Sequence, residues 1–558
     1  MAARRVMVIG LDAATLDLVR PWAQEGRLPN LARFLSDGAA GVLRSTLPPC
    51  SPAAWSTFAT GMNPGQHGLL GFHQFSPHDY EPHLMNAARR RGATFWEIAG
   101  EHGVRGGVLN LPFTYPPRPY NGFLVACMLS PAVGPGMVSP PAVLADLLAA
   151  SPRYAIDVDV LGAAVTRPEA FLKRVLDTTQ ARLEAALGLY RKHRPELFCV
   201  VFVAADRICH FFWPYMEAAR AGQALSPAQQ RLARGIRTVY EKLDEAVGAL
   251  AAEAGADCDL LIVSDHGACG LTTGLSLRRA LADGGLLVES RTDPLAGWRK
   301  RAVLAMARRA PRTLKRRLMA AFPRLAVRAS TAAEGLGADL RRTRAYPTGW
   351  TQGVFVNLKG RQPLGIVEPG AQYEAVRDEV IAVLSGLRDP QTGRPAMKKV
   401  HRREEVWSGQ CLDELPDLVV EPADPSYALS TLADQRGRGV FYDLPAPSWT
   451  ALHSLGGHHG DGLVMAMGPH VRKAAPDGPV ALQGAQMADV PATILALLGC
   501  PIPANFEGRV LTEMLTDDVC VAAGTAPAPV AADHAEAGEP AGQDRAAVEK
   551  RLKTLGYM

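Results

Sequence analysis

The chain has 558 residues, 47% of them hydrophobic and 21% charged, with a formal net charge of +5. That size and balance predict a globular protein with a large core and at least two structural units, and the small net charge gives no reason to expect a nucleic-acid partner. The nine cysteines are scattered, with no CxxC pair, which predicts reduced thiols in a cytoplasmic protein rather than a disulfide framework. The opening "MAARRVMVIGLD" holds an apolar run too short for a signal peptide. No later run is long enough to cross a bilayer, so no transmembrane segment is expected.

In chain order, five apolar runs without polar alternation read as buried parallel strands. They are "RVMVIGLD" (5–12), "GGVLNLP" (106–112), "GFLVACM" (122–128), "LFCVVFVAAD" (197–206) and "DLLIVSDHG" (259–267). Helical patterns lie between them: "LPNLARFLSDG", "PEAFLKRVLDTTQARLEAALGLYRKH" and "QQRLARGIRTVYEKLDEAVGALAAEAG", two of them closing on Gly. The alternation predicts an α/β core, residues 1–292, with a mainly parallel central sheet flanked by helices. From 293 to 448 the texture changes. The stretch from Arg299 to Arg328 is strongly basic, then come "TQGVFVNLKGRQPLGIVEP", the helix-like "YEAVRDEVIAVLSGL" and "PDLVVEP". This reads as an inserted α+β cap. Its basic part offers either a contact for an anionic substrate or surface, or only a solvated face. The core resumes over 449–516. Residues 517–544 form an Ala/Pro/Gly-rich linker expected to be disordered, and 545–558 a short charged helix.

Three of the strands end in an aspartate: Asp12, Asp206 and Asp265. In open α/β sheets, ligands bind at the carboxyl ends of the strands. His210 follows Asp206, His266 follows Asp265, and "GGHHGDG" supplies His458 and His459. Carboxylates mixed with imidazoles suit Zn²⁺ or Mn²⁺. Ser51 stands before Pro52 and an Ala/Trp run, where a loop turns into a helix. It reads as a helix cap, and a hydroxyl there also lies beside free N–H groups that favour phosphate.

These residues carry a resemblance to the alkaline phosphatase superfamily, in its type I phosphodiesterase/nucleotide pyrophosphatase branch. The matching pieces are "GLD" at Asp12, "CSPAAWSTFATGMNPGQHG", "DRICHFFW", "SDHG", "GGHHGDGLVMAMGP" and "MADVPATILALLGCPIPANFEGRVL", in the family's order. The resemblance implies an alkaline-phosphatase-like core and two divalent metal ions. It places one ion on Asp206, His210 and His458, and the other on Asp12, Asp265, His266 and the oxygen of Ser51. Ser51 falls at the nucleophile position, counted back from Thr60-Gly61, which implies hydrolysis of a small-molecule phosphate ester through a phosphoserine intermediate. A phosphomutase remains an alternative, as does a non-catalytic metal-binding protein. So does a sulfatase with Cys50 as nucleophile precursor, although that pattern wants Arg at Ala54. One feature departs from the nucleotide-cleaving pattern: no Asn follows His67-Gly68. No Arg follows Ser51 on its helix either, as it would in an enzyme built for a dianionic monoester. His67 is expected to be structural, and His458 is preferred to His459 as a ligand.

Overall fold

The computed structural model describes residues 4–158, 167–290, 337–348, 352–430, 439–449, 454–474, 478–524 and 542–554. They form two compact units. The first takes in Met1–Phe72, Asn86–Leu271 and Pro445–Met558, the second His73–Met85 and Thr272–Leu444.

The first unit is built on a nine-stranded sheet. Its strands are β1 (Arg5–Leu11), β2 (Ala39–Arg44), β3 (Gly106–Leu109), β4 (Gly122–Val125), β5 (Val138–Ser139), β6 (Leu197–Phe202), β7 (Cys258–Val263), β8 (Asp461–Met467) and β9 (Val480–Ala481), in the spatial order β9-β2-β8-β7-β1-β6-β3-β4-β5. Pairing is parallel except where β8 meets β2 and β7 and where β5 meets β4. The unbroken apolar runs make physical sense here, because β6 and β7 are buried along their whole length. A sheet covered on both faces has no solvent side to demand polar residues. Met7, Ile9 and Leu11 share one apolar cluster with Val175 and Leu189 of the Pro168–His193 helix and with Val239, Leu243 and Val247 of the Gly235–Ala254 helix. This is the expected α/β class, with a mostly parallel sheet flanked by helices.

On the other face, the Ser51–Thr60 helix lies directly over β1. A Cβ at Gly10 would stand 2.8 Å from the indole of Trp55 and 2.8 Å from Val201. Only glycine lets that helix approach so closely. The pattern over 229–255, read as one helix, is two: Pro227–Ala233 and Gly235–Ala254. A Cβ at Gly235 would sit 2.5 Å from the Phe212 ring, so the chain re-aims where it passes the Ala204–Arg220 helix.

In the second unit, a four-stranded antiparallel sheet runs in the order Ala345–Thr348, Gly353–Val356, Leu418–Pro422, Met397–Arg402. The helices Leu277–Asp283 and Ala371–Ser385 share its apolar cluster. Composition drew the edges of this unit at 293 and 448. Contacts start it at Thr272 and add the hairpin of His73–Phe75 and Pro82–Leu84, whose Tyr80 donates to Asn357 Oδ1 at 2.7 Å. The basic stretch 299–328 lies outside the described residues. So does 525–541 of the expected linker, while residues 522–524 pair with Ile502. The last helix spans Gly542–Thr554 and buries Val548 and Leu552. Among the described residues, no helix is long and apolar enough to cross a membrane.

Candidate metal centre

The register of the central strands brings the three aspartates to one edge. Gly10 is level with Val201 of β6 and with Val263 of β7, so the three strands stop together. Backbone bonds then tie the loops that follow. Asp12 N donates to Phe202 O at 3.0 Å, and Asp206 N donates to Asp12 O at 3.1 Å. Ala13 holds φ at +62°, a left-handed setting unusual for a side chain with a Cβ. It aims its N–H at Asp265 Oδ1, 3.3 Å away. Asp206 sits in the first turn of the Ala204–Arg220 helix, and His210 stands one turn on, on the same face.

His458 comes from Gly456–His459, paired antiparallel with Gly267–Gly270. This strand runs so close to the Ala204–Arg220 helix that a Cβ at Gly456 would be 2.1 Å from Cys209 O. Gly456 O lies 2.9 Å from His210 Nδ1, which leaves Nε2 to face the cluster. Alternation along the strand sends His458 inward and His459 away. His459 Nδ1 accepts from Asp461 N at 3.2 Å instead.

The side chains meet in two overlapping groups. In one, Asp206 Oδ1 lies 3.1 Å from His458 Nε2 and 3.3 Å from His210 Nε2, and the two imidazole Nε2 atoms are 3.1 Å apart. In the other, His266 Nε2 lies 3.2 Å from Asp265 Oδ2 and 3.9 Å from Asp12 Oδ1. His266 also joins the groups, its ring stacked on that of His458 with centroids 3.8 Å apart. Asp206, His266 and His458 offer donor atoms within 4.8 Å of one another, as do Asp12, Asp265 and His266.

Ser51 is buried and starts the Ser51–Thr60 helix. It is not the cap. Cys50 takes that position in extended conformation, and its carbonyl accepts from Ala54 N at 3.0 Å. The Ser51 hydroxyl is left to face Asp12 Oδ1 at 3.4 Å and His266 Nε2 at 3.1 Å. Cys50 donates its thiol to Leu70 O at 2.9 Å, and burial pushes the thiol up to about 12. His67 is wholly buried, within 3.1 Å of Thr57 Oγ1, and accepts at Nδ1 from Leu69 N at 3.2 Å. Among the described residues its ring hydrogen-bonds only with Thr57 and Leu69 of its own segment, while its carbonyl accepts from Arg91 N at 3.1 Å.

Charge is distributed unevenly. Burial, with Asp265 and Asp206 nearby, holds the Asp12 carboxyl well above the ordinary range. Burial and Asp206 push Asp265 up to about 8. Burial also raises Asp206, but His210, His458 and Arg207 outweigh it and hold that carboxyl well below the ordinary range. Burial pushes His266 down to about 4 and His458 down to about 3, so both imidazoles stay neutral near pH 7.

Two residues that sequence alone did not single out complete the site. Trp55 donates its indole N–H to Asp12 Oδ2 at 2.9 Å. Arg207 is buried between Asp206 and Asp157. Trp55 carries a signal in hindsight, since it lies one turn beyond Ser51. Arg207 does too, as a charge inside the apolar "ICHFFW" helix.

The donor set suits divalent cations. Among the described residues, no hydrogen bond is made to the buried Asp265 Oδ2, despite its closeness to His266. Neutral imidazoles facing carboxylates are what such ions need. The model of the type I phosphodiesterase / nucleotide pyrophosphatase family matches residues 6–460, a span that takes in all of these residues. The chain belongs to that family. The family is a branch of the alkaline phosphatase superfamily, and its activity is the hydrolysis of phosphodiester and pyrophosphate bonds. No curated protein sequence matches the chain.

Proposed function

We propose that this phosphodiesterase-family chain hydrolyses a small-molecule phosphate ester with Ser51 as nucleophile. Two divalent cations, Zn²⁺ or Mn²⁺, would be held by Asp206, His210 and His458 and by Asp12, Asp265, His266 and Ser51 Oγ. The observation that carries this reading is the place of Ser51 Oγ, buried among those donors, 3.1 Å from His266 Nε2 and 3.4 Å from Asp12 Oδ1. When bound, the cations supply positive charge to the attacking and opposing oxygens and favour the serine alkoxide. The rest falls to the chain. The helix start beneath Ser51 favours an anion through its dipole. Ser51 Oγ bonds to phosphorus while the ester oxygen leaves, and water then cleaves the phosphoserine and restores the hydroxyl. No Arg lies in the first turn of the Ser51–Thr60 helix, which favours a diester over a dianionic monoester. The nine cysteines are free, which supports a reducing, cytoplasmic setting.

The test is reconstitution of metal-free protein with Zn²⁺ and with Mn²⁺. Metal content is then measured, and phosphomonoesters, diesters and sulfate esters are screened. About two ions per chain are expected, with diester cleavage only in their presence. Hydrolysis by a chain that stays metal-free in excess Zn²⁺ and Mn²⁺ would sink the mechanism.

A further inference from the structure

Arg207 carries its charge where charge is badly tolerated. Its side chain is 1% exposed, and a guanidinium so placed costs several kcal/mol unless it is paired. Every edge of the guanidinium is engaged. Nη1 donates to Asp206 Oδ2, Nε and Nη2 donate to Asp157 at 3.2 and 2.7 Å, and Nη2 also lies 3.2 Å from Met128 Sδ. As a result the two oxygens of Asp206 are unlike. Oδ2 accepts from Arg207, while Oδ1 faces His458 and His210, at 3.1 and 3.3 Å.

We infer that Arg207 is a positioning residue that makes Asp206 a one-oxygen ligand, with Asp157 as the counter-carboxylate that fixes the plane of the guanidinium. The inference rests on the two-metal reading above. A carboxylate free to turn could offer either oxygen or both, and each choice moves the cation relative to His210 and His458. With Oδ2 clamped, only one choice remains. The fork matters as well as the charge. Lysine brings a point charge with no fixed plane and cannot hold Asp206 and Asp157 in one geometry.

A purely structural role would move stability and leave metal binding alone, so metal binding is the readout. Full-length wild type, Arg207→Lys and Asp157→Asn are prepared metal-free and titrated with Zn²⁺ and Mn²⁺ by calorimetry with a competing chelator. Arg207→Lys should weaken one of the two binding steps about 10- to 100-fold and leave the other within about two-fold. Asp157→Asn, which keeps both Arg207 and Asp206, should weaken the same step by about 10-fold or less. In both variants kcat should fall more than KM rises. A crystal structure of the Mn²⁺-loaded wild type should show Asp206 meeting the ion through Oδ1 only, with Oδ2 still on Arg207. That measurement decides the question if neither variant folds. A two-oxygen Asp206, or folded variants that bind both ions as tightly as wild type, overturns the inference alone. So does equal weakening of both steps. A wild type that takes up no metal overturns the two-metal reading and this inference with it.

Discussion

Asp206 and Asp265 stand at the same edge of one sheet and are both fully buried, yet their carboxyls lie on opposite sides of the ordinary range. Asp206 has neighbours that take its charge: His210, His458 and Arg207. Asp265 has Asp12 and His266, and burial keeps that imidazole from gaining a proton. One half of the site is therefore balanced by the chain itself. The other half carries two carboxylates that, among the described residues, have no side-chain cation beside them, Arg207 lowering Asp12 too little to offset burial. Burying like charges without a counter-ion is costly, so the second half is where a bound cation changes the protein most.

Ser51 belongs to that second half, and its loss should have the largest effect. Ser51→Ala is expected to cut turnover by about 10³-fold or more, because in the proposed mechanism the residue makes the bond to phosphorus. Metal content should stay near the wild-type value. Steady-state kinetics and elemental analysis check both. Near-normal turnover in this variant, together with inactivity of Cys50→Ala, would move the nucleophile to Cys50.

The asymmetry also predicts a pH dependence in the metal-free chain. Asp265 is held at about 8, against about 3.9 for a free aspartate. The folded state therefore keeps a proton that the unfolded state has lost. The sign follows: stability is fullest below about pH 4 and declines as pH rises toward 8, by at most about 1.4 kcal/mol per pH unit from this one group. Below about pH 7 the buried neutral His266 and His458 act with the opposite sign, because they take up protons only on unfolding, so denaturant titrations between pH 7 and 8 with a chelator present should show this decline. Asp265→Asn should flatten it, and added Zn²⁺ should reverse it. A stability that rises with pH between 7 and 8 in the metal-free wild type would contradict the comparison.

A smaller effect comes from Trp55. Trp55→Phe keeps a ring over Gly10 but removes the indole N–H from Asp12 Oδ2. The expected cost is about 1–2 kcal/mol of stability, with weaker metal binding in the Asp12 half only, read by the same chelator competition. Smallest of all is His459→Ala. That ring faces away from both groups, so stability should change by less than about 0.5 kcal/mol and activity should stay near wild type. His458→Ala, by contrast, should lose an ion. Equal losses from the two histidines would mean that the strand register is wrong.

Much of this site was legible in the sequence because each aspartate ends an apolar run. A strand buried on both faces announces itself by lacking polar residues, and the polar residue that stops it stands at the ligand-binding edge. The family resemblance pointed to Ser51, and the fold brings its hydroxyl beside Asp12 and His266, but the reading as a cap is corrected, because Cys50 supplies that position. Arg207 escaped notice for a different reason. Its partner Asp157 lies fifty residues away in a loop with no periodic signal, so the lone charge in an apolar helix does not say what it pairs with. The hairpin over 73–85 likewise carries no composition change to show that it joins the second unit. Tyr80 does so through a contact with Asn357, which only the folded chain brings together.

The pairing of Gly267–Gly270 with Gly456–His459 has a consequence for the order of assembly. The long segment Thr272–Leu444 of the second unit separates the two strands in the chain. As synthesis proceeds, Asp12, Ser51, Asp206, Asp265 and His266 emerge first. The strand that brings His458, and with it β8 of the central sheet, emerges only after the second unit has been made. Domains fold largely in the order in which they appear, so a nascent chain spends that interval with the exposed edge of β7 unpaired and the Asp206 group short of one imidazole. Under the two-metal reading, metal binding that requires the completed group waits on the synthesis of that strand, and the second unit sets the length of the wait.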